Sequence, residues 1–227
     1  MTVYLPEMRA LTHTLHSFTI NTACSSSVYA THMACHALRQ RDCDAALVGG
    51  VNLILTVDQH MNTAKLGILS PTSTCHTFDA SADGYGRAEG AGALYLKRLS
   101  DAIRDGDPVR GVIRSSAVNT NGKVSGMGIT HPSVKGQERV VRQAYERAHL
   151  NPKNTAYFEC HGTGTPVSNP LSSCSYFPCF CILYLFLPHG ELIIMISLAK
   201  TYYKKNKLIF GERRLVIQLK FELCPTP

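Results

Sequence analysis

The sequence predicts an α/β fold in which a mixed, mainly parallel sheet packs against helices. Strand-like and helix-like patterns alternate on both sides of about Pro108, and this alternation is typical of α/β proteins. The hydrophobic fraction is 44%, with 17% charged residues, which is the composition of a chain that can bury a core. At 227 residues we expect one ordinary domain or slightly more.

The first predicted strand is followed directly by a helix, with Cys24 at the junction. Phe18, Thr19 and Ile20 favour a strand, and the serines at 25–27 are cap-type residues before small and apolar residues at helical spacing. The amides and dipole at a helix start favour a thiolate, and a strand-to-helix turn lifts its side chain out of the sheet. Cys24 is therefore a candidate nucleophile. The alternative is a buried, inert cysteine, which is common for this residue type.

The remaining elements follow from the same patterns. Further strands are predicted at 45–55, 93–96, 109–118 and 156–159, where apolar or β-branched residues run together. Helices are predicted at 137–149, from an amphipathic pattern, and in a short segment capped by Ser100. The segment 77–92 is rich in Gly, Asp and Ser but contains Phe78, Tyr85 and Arg87, which indicates an ordered loop near a site.

A second candidate site follows the strand at 156–159. Residues 161–166 read His-Gly-Thr-Gly-Thr-Pro, and glycine permits a tight loop on which threonine hydroxyls can hydrogen-bond a polar chain. The carboxyl end of a strand in an α/β sheet is a common ligand position, so His161 is a candidate catalytic residue. A histidine with a structural role in a turn is the alternative.

Five ordered blocks carry a resemblance to a known family. They are TACSSS (22–27), DAALVGGVNLIL (44–55), KLGILSP (65–71), TFDASADGYGRAEGAGALYLKRLSDAIRDGD (77–107) and FECHGTGTP (158–166). Together they closely resemble β-ketoacyl synthases, particularly the ketosynthase domains of polyketide synthases. The resemblance covers Phe18 to Val167 and implies a partial thiolase-like fold, built from two similar halves. Residues 18–108 then belong to the first half and 109–167 to the start of the second, while 1–17 stay unplaced.

The resemblance also implies a reaction and its partners. Cys24 corresponds to the cysteine that forms an acyl-enzyme, and His161 to a histidine that assists decarboxylative Claisen condensation with a malonyl thioester. Thr163 and Thr165 resemble the threonines that lie along the phosphopantetheine arm of an acyl carrier protein. The family works as a homodimer in secondary metabolism, and the resemblance implies neither a metal nor a cofactor bound directly by the protein. The 77–92 loop is expected beside Cys24.

The sequence also departs from the family pattern. We find no Lys-Ser-Asn-x-Gly-His segment with the second catalytic histidine and no glycine-rich oxyanion segment, and residues 168–227 are unrelated in sequence. Asn21 stands where the family has aspartate. We therefore expect a truncated fragment in which acylation of Cys24 survives better than condensation, with a tail that derives from a gene-model artefact. The alternatives are a non-catalytic module that binds a carrier protein or dimerises, and an aggregation-prone mistranslation product.

Composition argues against several other classes of protein. The net charge is +7, but residues 1–167 carry only +3 and show no basic stripe interleaved with aromatics, so nucleic-acid binding is not expected. The nine cysteines include no C-x-x-C pair, which favours free thiols in the cytoplasm over disulfides or a metal site. The apolar stretch 176–199 is divided at 188–191 into runs shorter than the roughly 20 residues that span a bilayer, so a membrane span is not expected either.

Overall fold

The structure, a computed structural model, describes residues 2–5, 16–120, 133–155, 157–165, 183–187, 191–196 and 215–220. Its strands are β1 (Thr2–Leu5), β2 (His16–Thr19), β3 (Ala45–Asn52), β4 (Gly90–Arg98), β5 (Gly111–Val118), β6 (Tyr157–Cys160), β7 (Leu183–Leu187), β8 (Glu191–Ile196) and β9 (Leu215–Lys220). Its α-helices are α1 (Ser26–Gln40), α2 (Val57–Lys65), α3 (Leu99–Asp105) and α4 (Val134–Ala148).

The described strands form one sheet in the order β2-β1-β3-β4-β9-β5-β8-β7-β6. Only β5 and β8 pair in parallel, and every other described pair is antiparallel. This differs from the mainly parallel sheet expected from the sequence. Strands β3 and β4 illustrate the difference. Their antiparallel register runs from Ala45 opposite Lys97 to Asn52 opposite Gly90. The connection at residues 53–89 reverses the chain direction, so β4 returns antiparallel to β3, and α2 within it buries none of its residues.

The main core lies between α1 and the sheet. Its buried members share small or apolar side chains: Val28, Ala30, Ala34, Cys35, Leu38, Cys43, Ala46, Val48, Leu96 and Ile113. The alanines and Cys35 on α1 let the helix lie close to the strands of the sheet. A second cluster joins β5 to α4 through Ala117, Val140, Ala144, Tyr145 and Ala148.

Some boundaries differ from the sequence-based expectation. Ser100 lies inside α3 rather than capping it, because the N-cap is Arg98. Helix α2 was not predicted from the sequence. Within the apolar stretch of the tail, the described residues form β7 and β8, which pair in antiparallel fashion with Leu187 opposite Glu191. Within the part of the chain that the structure describes, no helix combines the length and the apolar character needed to cross a membrane.

The Arg98 side chain ties the end of α1 to β4 and α3. It is 13% exposed and donates to the carbonyl oxygen of Cys43 at 2.7 Å, to that of Leu38 at 3.3 Å and to Asp101 Oδ2 at 2.5 Å. It also pairs with Asp44. The guanidinium thus satisfies two carbonyl groups at the turn where α1 leads into β3.

We expect Arg98→Met to lower the free energy of unfolding by about 2 kcal/mol, because it removes one of the two arginine donors of the largely buried Asp101 carboxylate and a charged donor from two carbonyl groups. Urea denaturation measures the loss. Arg142→Met is the matched control, since Arg142 and its partner Glu138 are 65% and 63% exposed, and such a pair contributes about 0.5 kcal/mol or less. Equal losses of stability in the two variants would contradict the role of Arg98 in tying the end of α1 to β4 and α3.

His32 links α1 to β5 in a partly buried position. Its Nδ1 lies 2.8 Å from Ser116 Oγ, and Arg147 donates to the Ser116 carbonyl at 3.0 Å. Burial, aided by the positive charges of Arg147 and Arg39 and by His36, lowers the pKa of His32 to about 4. The imidazole is therefore neutral in the folded protein at neutral pH.

We expect this histidine to make the fold acid-sensitive. Because its pKa in the folded state lies below the ordinary value of about 6.5, the unfolded state takes up the proton first as the pH falls. Stability should therefore decrease between about pH 6.5 and pH 4. His32→Asn should flatten this part of the stability profile, measured by urea denaturation at several pH values. An unchanged slope in the variant would contradict the prediction.

Candidate functional site

Cys24 is exposed in the short turn between β2 and α1. The helix begins at Ser26, so Cys24 precedes it by two residues instead of lying in its first turn as expected. Ala23 has a φ of 55°, a left-handed conformation that is uncommon for a residue with a side chain. Asn21 Oδ1 accepts a hydrogen bond from the Ala23 amide at 3.1 Å. The asparagine thus supplies a turn-stabilising acceptor at the position where the family has aspartate.

The serines after Cys24 close this turn instead of capping the helix. Ser25 occupies the N-cap without a side-chain cap bond, and its hydroxyl donates back to the Thr22 carbonyl at 2.8 Å. Ser26 Oγ donates to the Ala23 carbonyl at 2.6 Å and accepts from the Thr22 amide at 2.8 Å. These bonds stabilise the left-handed residue before Cys24, because surrounding contacts must offset such local strain.

The His161 loop is built around two glycines. Gly162 and Gly164 have φ values of 53° and 68°, which explains the Gly-x-Gly pattern, since glycine adopts positive φ without steric cost. Gly164 is buried, whereas His161, Thr163 and Thr165 are partly exposed. A Cβ atom at position 164 would lie 3.1 Å from the His76 carbonyl oxygen and 3.2 Å from that of Gly84. The loop therefore packs tightly against the segment 76–84.

Cys24 follows β2 and His161 follows β6, the two outer strands of the described sheet, but the helix after Cys24 reaches the end of β5. Tyr29 Oη, in the first turn of α1, donates to the Asn119 carbonyl at 2.8 Å, just beyond the end of β5. His161 follows the end of β6. Across the strands from β6 to β5, paired residues form one row: Cys160, Leu183, Met195 and Ala117. Three strand spacings separate β6 from β5, roughly 14 Å. An approach of the Cys24 sulfur to the His161 imidazole stays a prediction.

The loop at 77–92 makes contacts that sequence reasoning missed. Its described hydrogen bonds join it to the His161 loop, to residues 68–75 and to Asn52 and Ile54, and its expected place beside Cys24 stays a prediction. The Gly84 amide donates to the Gly164 carbonyl at 3.1 Å, and Tyr85 exchanges bonds of 3.0 Å with Ile68 and Ser70. The glycines in both loops were the available signal, because closely packed backbones exclude side chains.

The other cysteines that the structure describes differ in their access to solvent. Cys75 is exposed, and its sulfur accepts a hydrogen bond from the Gly86 amide at 3.3 Å. Cys35 and Cys43 are buried, and burial raises the pKa of the Cys35 thiol to about 12. In the described ranges, no three His, Cys, Asp or Glu residues gather in a way that could hold a metal ion.

Comparison with known proteins identifies the family. The sequence model of the β-ketoacyl synthase N-terminal domain matches residues 14–102, and that of the C-terminal domain matches residues 110–172. A reducing polyketide synthase of Fusarium langsethiae is 70% identical over 155 residues, which is 68% of this chain and 6% of the relative. A highly reducing polyketide synthase of Aspergillus ruber is 52% identical over 185 residues, 82% of this chain and 7% of the relative.

Solved structures agree with the sequence matches. The ketosynthase from module 6 of the bacillaene synthase of Bacillus subtilis 168 aligns with a TM-score of 0.60 at 44% identity, covering 66% of this chain and 27% of that one. An oxazolomycin ketosynthase domain of Streptomyces albus aligns with a TM-score of 0.64 at 44% identity, covering 67% and 27%. These matches confirm the thiolase-like fold. The chain spans about 6% of the length of the first curated relatives, and it belongs to the β-ketoacyl synthase family as part of a polyketide-synthase ketosynthase domain.

Proposed function

We propose that Cys24 accepts an acyl group from a thioester carried on the phosphopantetheine of an acyl carrier protein. The sulfur attacks the thioester carbonyl, a new carbon–sulfur bond forms, and the carrier sulfur leaves and takes up a proton as a thiol. The main-chain amide of Cys24 is the proposed donor to the oxyanion that forms during this transfer. Thr163 and Thr165 are proposed to hydrogen-bond the pantetheine arm.

Condensation is the second proposed step. A malonyl thioester loses carbon dioxide, and the electron pair of the broken carbon–carbon bond forms an enolate that attacks the acyl carbon on Cys24. The bond to the Cys24 sulfur breaks and a β-ketoacyl thioester is released. His161 donates a hydrogen bond to the thioester oxygen as charge develops on it. We place this chemistry in the cytoplasm, where thiols stay reduced.

One observation carries the proposal most directly: an exposed cysteine sits in a turn whose hydrogen bonds hold the preceding residue in a left-handed conformation. Strained backbone of this kind concentrates at functional sites. An accessible sulfur is a requirement for attack on a thioester bound to another protein. Family membership supplies the reaction class.

The test is acylation of the full chain by a hexanoyl-pantetheine thioester, followed by intact mass and peptide mapping. We expect one acyl group on Cys24 and none after Cys24→Ala. Cys75→Ala is the matched control, because Cys75 is also exposed but has no proposed role, and it should be acylated like the parent protein. Acylation that persists in Cys24→Ala, or is divided equally between Cys24 and Cys75, would overturn the proposal.

A second candidate function is a non-catalytic module that binds a carrier protein or a second copy of a ketosynthase. Residues 51–66 favour it, because seven large apolar side chains are exposed there: Val51, Leu53, Ile54, Leu55, Val57, Met61 and Leu66. An apolar surface of this extent commonly marks an interaction site. Sedimentation of the unacylated chain at several concentrations would favour this candidate if the chain self-associates while Cys24 stays unreactive.

A further inference from the structure

We propose that Thr77 is a positioning residue for His161, and this inference rests on the proposed role of His161. Thr77 Oγ1 donates a hydrogen bond to the Gly162 carbonyl oxygen at 2.5 Å. Gly162 is the residue directly after His161, so the bond fixes the orientation of a peptide group next to the backbone that carries the imidazole. Thr77 reaches it from a segment 85 residues earlier in the chain.

The loop needs such an anchor because of its glycines. Gly162 has a φ of 53°, and a glycine passes between positive and negative φ far more readily than other residues. Without an external partner for its carbonyl group, the peptide after Gly162 can rotate. A small rotation there displaces His161, and displacement of a catalytic group by about 1 Å can lower a rate by about a hundredfold.

A second contact holds the same loop two residues later. The Gly84 amide donates to the Gly164 carbonyl at 3.1 Å, and the buried Gly164 lies against the His76 carbonyl. Residues 76–84 therefore hold the loop at both of its glycines. The bond at Gly164 joins two main chains, whereas the bond at Gly162 requires a side-chain hydroxyl at position 77. A substitution at position 77 can therefore remove the bond to Gly162, whereas the bond between Gly84 and Gly164 does not depend on a side chain.

Thr77 is exposed, so loss of its hydroxyl should affect the loop and not the core. A net contribution of about 1 kcal/mol for a neutral hydrogen bond corresponds to roughly a fivefold change in the population of the opened loop. Thr77→Val removes the hydroxyl at nearly constant shape, and Thr77→Ser restores it. Thr74→Val is the matched control, because Thr74 is also exposed and its hydroxyl bonds only locally, to the Thr72 carbonyl at 3.2 Å.

The experiment is amide hydrogen exchange of the full chain, read at residues 161–165 by mass spectrometry or NMR. We expect about fivefold faster exchange in Thr77→Val, parent-like exchange in Thr77→Ser and Thr74→Val, and no change in α1 in any variant. Carbon dioxide release from malonyl-pantetheine by the acylated protein should show a matching decrease in kcat with KM within twofold. Thr77→Ser should restore kcat.

Parent-like exchange in Thr77→Val overturns the inference, and so does failure of Thr77→Ser to restore it. An unchanged kcat in Thr77→Val, with faster loop exchange, overturns the link to His161. Failure of the parent protein to acylate Cys24 contradicts the proposed function instead, and the exchange experiment still decides whether Thr77 anchors the loop. The two failures are therefore distinguishable.

Discussion

Gly84→Ala is expected to lower the free energy of unfolding by about 3 kcal/mol or more and to disturb both loops that meet at this residue. Gly84 has a φ of 148°, and a Cβ atom there would lie 2.4 Å from the Leu69 carbonyl carbon and from the Ser70 amide nitrogen. These are main-chain atoms that cannot rotate away. Strained φ values alone cost about 1–3 kcal/mol, and the steric clash adds to that cost. Urea denaturation measures the total.

Two glycines provide graded controls for this prediction. Gly67 has a φ of 65° but open space around its Cα, so Gly67→Ala should show the conformational cost alone, about 1–2 kcal/mol. Gly90 has open space and no positive φ, so Gly90→Ala should change stability by about 0.5 kcal/mol or less. We expect the loss in the free energy of unfolding to decrease in the order Gly84→Ala, Gly67→Ala, Gly90→Ala. A Gly84→Ala variant as stable as Gly90→Ala would contradict the packing of the loops.

Leu38→Ala is expected to cost about 3 kcal/mol in the free energy of unfolding. Leu38 is fully buried in the core between α1 and the sheet, and the substitution removes its packing and leaves a cavity. The surrounding helix and strands can collapse only in part, because Arg98 holds the carbonyl of the same residue. Thermal and urea denaturation of the full chain measure the effect.

The control for this prediction applies the same chemical change to an exposed position. Leu55 is 79% exposed, so Leu55→Ala removes little buried surface and should change stability by about 0.5 kcal/mol or less. It should also reduce self-association if residues 51–66 form a contact surface. Comparable destabilisation by the two substitutions would mean that α1 does not pack on the sheet as described.

Local patterns in the sequence were sufficient to predict most of the elements around the site. The strand at β3, helix α1 after Cys24 and helix α4 follow from side-chain periodicity, and the Gly-x-Gly pattern predicted the tight loop after His161. These features depend on neighbouring residues, whose preferences act within a few positions. The five ordered sequence blocks then indicated the resemblance to ketosynthases, which the comparisons confirm.

The strand pairing and the contacts of the 77–92 loop could not be predicted in this way. Pairing direction depends on how the 53–89 connection returns to the sheet, and no periodicity within β3 or β4 encodes that path. The bond from Thr77 to Gly162 spans 85 positions, so the two residues show no local pattern in common. The exposed state of α2 likewise depends on what lies next to it and not on its own sequence.

The place of β9 has a consequence for how the chain folds. Strand β9 lies between β4 and β5, pairing Arg98 with Leu215 on one side and Ile113 with Leu215 on the other. Until the ribosome has released residues 215–220, these two inner strands have no common neighbour, and each offers open main-chain groups to other chains. Such distant pairing slows folding, so the inner edges of β4 and β5 stay open to other chains until residues 215–220 have paired with both strands.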